Sequence, residues 1–329
     1  MILTGDVGGT KVNLALFDIQ KGIPRLSVER SYVSRDYPDL VHLLQHFLKE
    51  TQPKLTHACL GVAGPVHEGR CQITHLPWEI NARELQPLLG TDSISLINDL
   101  AALAYAVPYL TPEQLEVIQQ GQGDPNGKIG VLAAGTGLGQ AFLIPEGERR
   151  YRILETEGGQ CDFPARNPLE ISLREFLSQV SGRVCIEDVL SGPGLIRIFE
   201  FMKERDHATE LDWLAEEFEQ EDPAVVISRN GLSKKFKPCE QALEMFVSVY
   251  GAVAGNLALQ IMARGGVILG GGIAPEILPL LKSDLFLEAF RDKGKFRDFM
   301  AHIPVKVVMD KRAPLLGAAY FALGENKIQ

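Results

Sequence analysis

From Lys11 onward, Val12, Leu14 and Leu16 alternate with Asn13, Ala15 and Phe17, and a period of two marks a β-strand. With the glycines of T-G-D-V-G-G-T before it, residues 4–10, the stretch reads as strand, glycine turn, strand. The same order returns further along: an apolar run from Val131 to Ala133, a turn holding Gly135, Thr136, Gly137 and Gly139, and an apolar run from Ala141 to Ile144. Two like hairpins suggest two related halves. A third glycine site differs. Val267, Ile268 and Leu269 form a short buried strand, Gly270, Gly271 and Gly272 break it, and Ala274-Pro275-Glu276 reads as a helix start with proline in its first turn. Ile94 to Ile97 is a further strand that runs through Asn98-Asp99 into an apolar helical run. A long helix is expected over Glu240–Ala263, apolar on much of its surface, and residues 303–323 predict a last strand and helix. Strands alternating with helices make this an α/β protein.

A length of 329 residues favours two domains. A net charge of −9 supplies no surplus of cations for nucleic acid or anionic membrane. The start, MILTGDVGG, has no charged and apolar leader pattern, and no later run approaches the ~20 apolar residues of a membrane span, so a cytoplasmic protein is expected. Cys59, Cys71, Cys161, Cys185 and Cys239 show no C-x-x-C pair, which argues for reduced cysteines without structural zinc.

The first glycine turn is neither a Walker A loop, since Thr10 precedes Lys11, nor a G-x-G-x-x-G fingerprint. Both of those open a helix, whereas this turn opens a strand. Glycines in such a hairpin let backbone N–H groups approach an anion, and Thr10 adds a hydroxyl donor. Asp6 would repel a phosphate unless a divalent cation lay between them, directly or through water, as Mg²⁺ does in nucleotide sites. Taken alone, the same residues also suit an ordinary hairpin turn.

The hairpin GDVGGT, the turn AGTGLG at 134–139 and the segment LGGGIAPEI at 269–277 together resemble the bacterial glucokinase family, within the superfamily of sugar kinases, actin and chaperone ATPases. The likeness runs in unbroken order from Ile2 to about Gly324. It implies a duplicated RNase H-like (actin-like ATPase) fold, two domains with a nucleotide and sugar cleft between them, and transfer of the ATP γ-phosphate to the 6-hydroxyl of glucose. ATP with Mg²⁺ would be held by Gly5, Asp6, Val7, Gly8, Gly9 and Thr10, by Gly135, Thr136 and Gly137, and by Gly271 and Gly272, with Asp6 on the metal side.

Asn98-Asp99 ends a strand and starts a helix, where Asn or Asp is a routine N-cap; yet such strand ends open toward the ligand crevice in α/β domains. Phosphoryl transfer needs an acceptor hydroxyl aligned with the γ-phosphate and a group to take its proton. Asp99 is the expected base, and Asn98 would hold neighbouring hydroxyls. The resemblance adds Glu157 and Glu187 as sugar contacts, although Glu187 follows Arg183 by four residues and would equally make a surface ion pair on a short helix. Where the family usually has His, this chain has Gln160, which hydrogen-bonds hydroxyls but does not titrate. A pocket of Asn98, Asp99, Glu157, Gln160 and Glu187 carries no cation and suits a neutral hexose over a sugar phosphate. Trp78, within residues 74–85, would line the cleft or lie in the core.

The expected domains are 1–109 plus 303–329, and 110–302, with Pro108 and Pro112 bracketing the crossing. The acidic stretch 209–224 reads as a solvated helix face and LSKKFK is too short to bind nucleic acid. A homodimer is expected. Competing functions are a kinase for another free hexose or amino sugar, a nucleotide-switch ATPase, and a sugar-sensing repressor, for which the cysteine cluster near Cys161 is missing.

Overall fold

The computed structural model describes residues 1–73, 76–147, 150–209 and 211–324. The chain divides into two units, Met1–Thr111 with Asp310–Gln329, and Pro112–Met309.

The first unit opens with β1 (Ile2–Val7), β2 (Lys11–Gln20) and β3 (Ile23–Val33), followed by α1 (Leu40–Thr51), β4 (His57–Val62), a small pair β5 (Arg70–Gln72) and β6 (Glu79–Asn81), α2 (Ala82–Leu89), β7 (Ile94–Asn98) and α3 (Asp99–Ala106). Its main sheet has the order β3-β2-β1-β4-β7, with the hairpins antiparallel and β1, β4 and β7 parallel. The alternation in β2 buries both of its faces. Val12, Leu14 and Leu16 join Leu43, Leu44 and Phe47 of α1 and Leu85 of α2, while Ala15 and Phe17 pack with Ala101 and Ala102 of α3 and with the chain's last helix, Ala313–Gly324. Trp78 is 2% exposed in the first of these clusters, so it is a core residue. Thr74 and His75 of the same segment lie outside the described residues.

The second unit comprises β8 (Leu115–Gln119), β9 (Ile129–Ala134), β10 (Leu138–Gly147), β11 (Arg150–Thr156), α4 (Pro168–Ser181), α5 (Gly192–Arg205), α6 (Asp212–Gln220), α7 (Pro223–Leu232), α8 (Lys237–Ile261), β12 (Gly266–Gly270), α9 (Ile273–Glu276), α10 (Leu278–Leu281), α11 (Asp284–Arg291), α12 (Arg297–Ala301) and β13 (Val305–Val308); α13 (Ala313–Gly324) returns to the first unit. The sheet order β11-β10-β9-β12-β13-β8 repeats the plan of the first sheet, three antiparallel strands beside two parallel ones, with β8 added at the edge. Gly139, expected in the turn, is already in β10, paired with Ala133.

Two expectations are corrected. The strand over 305–308 does not return with the last helix: β13 pairs with Val267–Leu269 and with β8, so the second unit extends to Met309 rather than 302. Residues 325–329 of the expected first domain lie outside the described ones. By length and composition α8 would cross a membrane, although no such run was expected. Its apolar residues point all round because protein surrounds it, with Phe246 and Tyr250 fully buried. The acidic stretch forms α6 with Asp212, Glu216 and Glu219 exposed as expected, while Leu214 is buried and half-buried Glu217 binds Arg229, Lys235 and Asn230. Glu210 lies outside the described residues.

Candidate functional site

In the first unit, the register Val7↔Val62 and Val62↔Asn98 aligns the carboxyl ends of the three parallel strands. The Gly8–Thr10 turn, the loop after β4 and Asn98-Asp99 therefore leave the sheet at one edge, where α/β sheets open toward ligands. Buried Ser34 fixes the turn from behind: its hydroxyl donates to the Gly8 carbonyl at 2.9 Å and its N–H to the Thr10 carbonyl at 3.0 Å. Carbonyls engaged from the protein side suit a turn whose amides serve an anion.

Asp6 faces the same side of β1 as Ile2, opposite Asn13 of β2. Asn13 Nδ2 donates to Asp6 Oδ2 at 3.3 Å, and the Ser31 hydroxyl donates to Asn13 Oδ1 at 2.6 Å. This cross-strand row holds the half-buried carboxylate. Burial pushes its pKa up from 3.8, and the Asn13 bond and the Lys11 charge oppose the shift. A carboxyl so raised favours the folded state fully below the unfolded pKa, and that contribution is lost as pH rises through the folded value. Without nucleotide, Asp6→Asn is therefore expected to be more stable than the parent at pH 7 and to lose that advantage as pH falls toward ~4. Urea melts across pH test this, and an equal gap at both ends would contradict it.

Asn98 is the N-cap of α3, accepting from Leu100 N–H at 2.9 Å and donating to the Gly64 carbonyl at 3.3 Å. One amide hydrogen is left for a ligand. Asp99 is the first helical residue, half-buried, with Oδ1 accepting from Leu100 N–H at 2.8 Å. Its charge, after burial, helps push the Cys71 thiol up to about 11. Gly61 lets the helix approach, since a Cβ there would lie 3.0 Å from Ala102 Cβ and 3.6 Å from Asp99 Cα.

In the second unit the turn Gly135–Gly137 joins β9 to β10, with Thr136 exposed at its tip. Gly271, at φ +81°, passes so close that a Cβ would meet the Ala134 carbonyl at 2.2 Å. Only glycine fits there. Gly272, beyond it, is exposed and caps the short α9. Gly192 N–H donates to the Gly135 carbonyl at 2.8 Å, which brings the N-terminus of α5 to the same turn.

Glu157 stands exposed before the turn Gly158–Gln160. Glu187 lies in a hydrogen-bonded turn rather than on a helix. Its Oε2 accepts from Leu138 N–H at 2.8 Å, its Oε1 from Gln160 Nε2 at 3.0 Å, and its N–H donates to the Gly159 carbonyl at 2.9 Å. The alternative ion pair with Arg183 is not formed; that guanidinium binds Asp162 at 2.7 Å. Gln160, Glu187 and the Gly135–Gly137 turn are thus directly linked.

Two proposed nucleotide residues have other reasons for their identity. A Cβ on Gly5 would lie 2.7 Å from Leu60 Cδ2, and Val7 is fully buried, so both serve the core of the first sheet with their side-chain positions. Sequence reading missed Ser34, Asn13, Ser31, Gly61 and Ser191, whose hydroxyl caps α5 and donates to the Glu187 carbonyl at 2.8 Å. Asn13 alone carried a signal, a polar residue inside an apolar strand.

Among the described residues no three His, Cys, Asp or Glu side chains cluster as a ready metal cage. A single carboxylate at a glycine turn still fits Mg²⁺, which is commonly held by one or two carboxylates plus substrate phosphates and water.

The profile of the family described as Glucokinase matches residues 3–325. A glucokinase of Synechocystis is 40% identical, over 97% of both chains. The crystal structure of glucokinase from an Antarctic psychrotroph is 32% identical, with a TM-score of 0.82 and 98% of each chain covered. A ROK family glucokinase from Streptomyces griseus, solved with glucose and AMPPNP, has a TM-score of 0.65 over 97% of this chain and 98% of its own, and at 19% identity shows a shared fold alone. With the profile spanning nearly every residue and the duplicated sheet plan in place, the chain belongs to the glucokinase family.

Proposed function

We propose that this protein transfers the γ-phosphoryl group of ATP to the 6-hydroxyl of glucose, giving glucose 6-phosphate. Membership of the glucokinase family supports the reaction class. The observation that supports the assignment of roles best is the shared strand edge, which sets Asp6, the Gly8–Thr10 turn and Asp99 side by side in the first unit.

The Gly8 and Gly135 N–H groups close the two turns on the Lys11 and Gly137 carbonyls, so the backbone amides of Gly9 and Thr10 and of Thr136 and Gly137 take phosphate oxygens, and Gly271-Gly272 leaves room for the nucleotide. Mg²⁺, when bound on the Asp6 side, neutralises phosphate charge. Asp99 accepts the proton of the attacking hydroxyl. The second hydrogen of the Asn98 amide, the side-chain Oε1 of Gln160 and the carboxylates of Glu157 and Glu187 hold the other hydroxyls. Arg183 lies beside Gln160 but is engaged by Asp162, so this neighbourhood still favours a neutral hexose over a phosphorylated one. The protein acts in the cytoplasm as a homodimer; free cysteines fit the reducing compartment.

A coupled ATP assay across glucose, mannose, fructose, glucosamine and N-acetylglucosamine tests the reading. Glucose should give the highest kcat/KM. ATP turnover equally fast without sugar would instead mark a nucleotide-switch ATPase. Ser34→Ala, which removes one bond from the first turn, is expected to cost about 1 kcal/mol of stability and to raise the KM for ATP severalfold with that for glucose unchanged. Steady-state kinetics and thermal melts check both parts.

A further inference from the structure

Resting on the reading of Gln160 and Glu187 as sugar ligands, we infer that Glu187 is a positioning residue for the phosphate turn, so that sugar and nucleotide each strengthen the binding of the other. The two oxygens of one carboxylate serve two segments: Oε2 accepts from Leu138 N–H, at the exit of the Gly135–Gly137 turn, and Oε1 accepts from the Gln160 amide. The same oxygen Oε2 also occupies the space beside Gly137, where a Cβ would come within 2.8 Å of it. Behind this link the segments are locked together by Glu187 N–H to the Gly159 carbonyl at 2.9 Å and Ile186 N–H to the Cys161 carbonyl at 2.8 Å. A Cβ on Gly159 would lie 2.3 Å from the Leu138 carbonyl, so the sugar turn rests on the start of β10.

A hexose hydroxyl bound to Gln160 and Glu187 holds the carboxylate in one rotamer. That rotamer is the one that fixes Leu138 N–H and leaves Gly137 its clearance. The ordering cost is met once, by whichever substrate binds first, and the second substrate meets a turn already set. Linkage requires the same factor in both directions.

Calorimetric titrations of glucose with and without AMPPNP and Mg²⁺, and the reverse pair, measure this factor. The parent should bind each ligand about tenfold more tightly in the presence of the other. Gln160→Ala and Glu187→Ala should each reduce the factor below about twofold, because the first loses the link to Glu187 Oε1 and the second loses both links. Gly137→Ala supplies an independent arm. Its new methyl meets only the end of a flexible side chain, so the fold should persist, yet it should weaken glucose binding severalfold with no nucleotide present. Thermal melts confirm that each variant is folded. A parent that binds glucose and AMPPNP independently, or variants that keep the parent's factor, would overturn the coupling alone. A parent that binds no glucose would overturn the sugar-site reading beneath it.

Discussion

Asp99→Asn should lower kcat for glucose phosphorylation by roughly a thousandfold while the protein folds and binds ATP as before. General-base assistance is worth about 10²–10⁴ in rate, and an amide does not accept the proton. Asp99 Oδ1 accepts from Leu100 N–H, and an Asn amide oxygen in the same place keeps that bond, as does the cap from Asn98. Rapid-quench or steady-state kinetics, with calorimetry for ATP, separate the two effects. Activity within about threefold of the parent would remove Asp99 from the role of base.

Gly317→Ala should have the largest effect on stability, about 3 kcal/mol, in the upper range for overpacking. A Cβ at Gly317 would lie 1.8 Å from the Ala102 carbonyl and 2.9 Å from its carbon, both backbone atoms that no side-chain rotation relieves. Here α13 crosses α3 along a seam of small residues, Ala101 and Ala102 facing Ala318, Ala319 and Ala322. The helices must separate, and α3 begins with Asp99. A fall in Tm on the order of 10 °C is expected, together with a lower kcat in the fraction that remains folded. A Tm within about 2 °C of the parent would show that the seam yields without cost.

Much of this was legible along the chain because the signals are local. The alternation in β2, the glycine breaks after β1 and β9 and the strand-to-helix switch at Asn98 each lie within a few residues. Short polar caps are equally local, which is why Asn98 could be read both as a cap and as a ligand. In the structure it caps α3 and keeps one hydrogen for a ligand.

Long-range partners were not legible. Ser34 lies 26 residues from the carbonyl that it binds, and Glu187 lies 49 from Leu138. Neither stands in a pattern that betrays its partner. The ion pair suggested by the spacing of Arg183 and Glu187 fails because the segment forms a turn, which gives Arg183 to Asp162 and turns Glu187 toward Leu138 and Gln160. Likewise β13 reads as a strand from its own residues, but only pairing with β12 and β8 places it in the second unit.

The order of residues by itself determined the strands, the paired glycine turns and the candidate chemistry at Asp6 and Asp99, since backbone conformation and side-chain chemistry are properties of neighbours along the chain, while Glu157 entered through the family resemblance. Only the folded molecule decided that Gly5, Val7 and Trp78 serve the core, that Ser34 and Asn13 support the first turn, and that one carboxylate joins Gln160 to the second. Those outcomes depend on sheet register and close packing between segments distant in sequence, where a difference of about one residue in pairing would reverse which side chains meet.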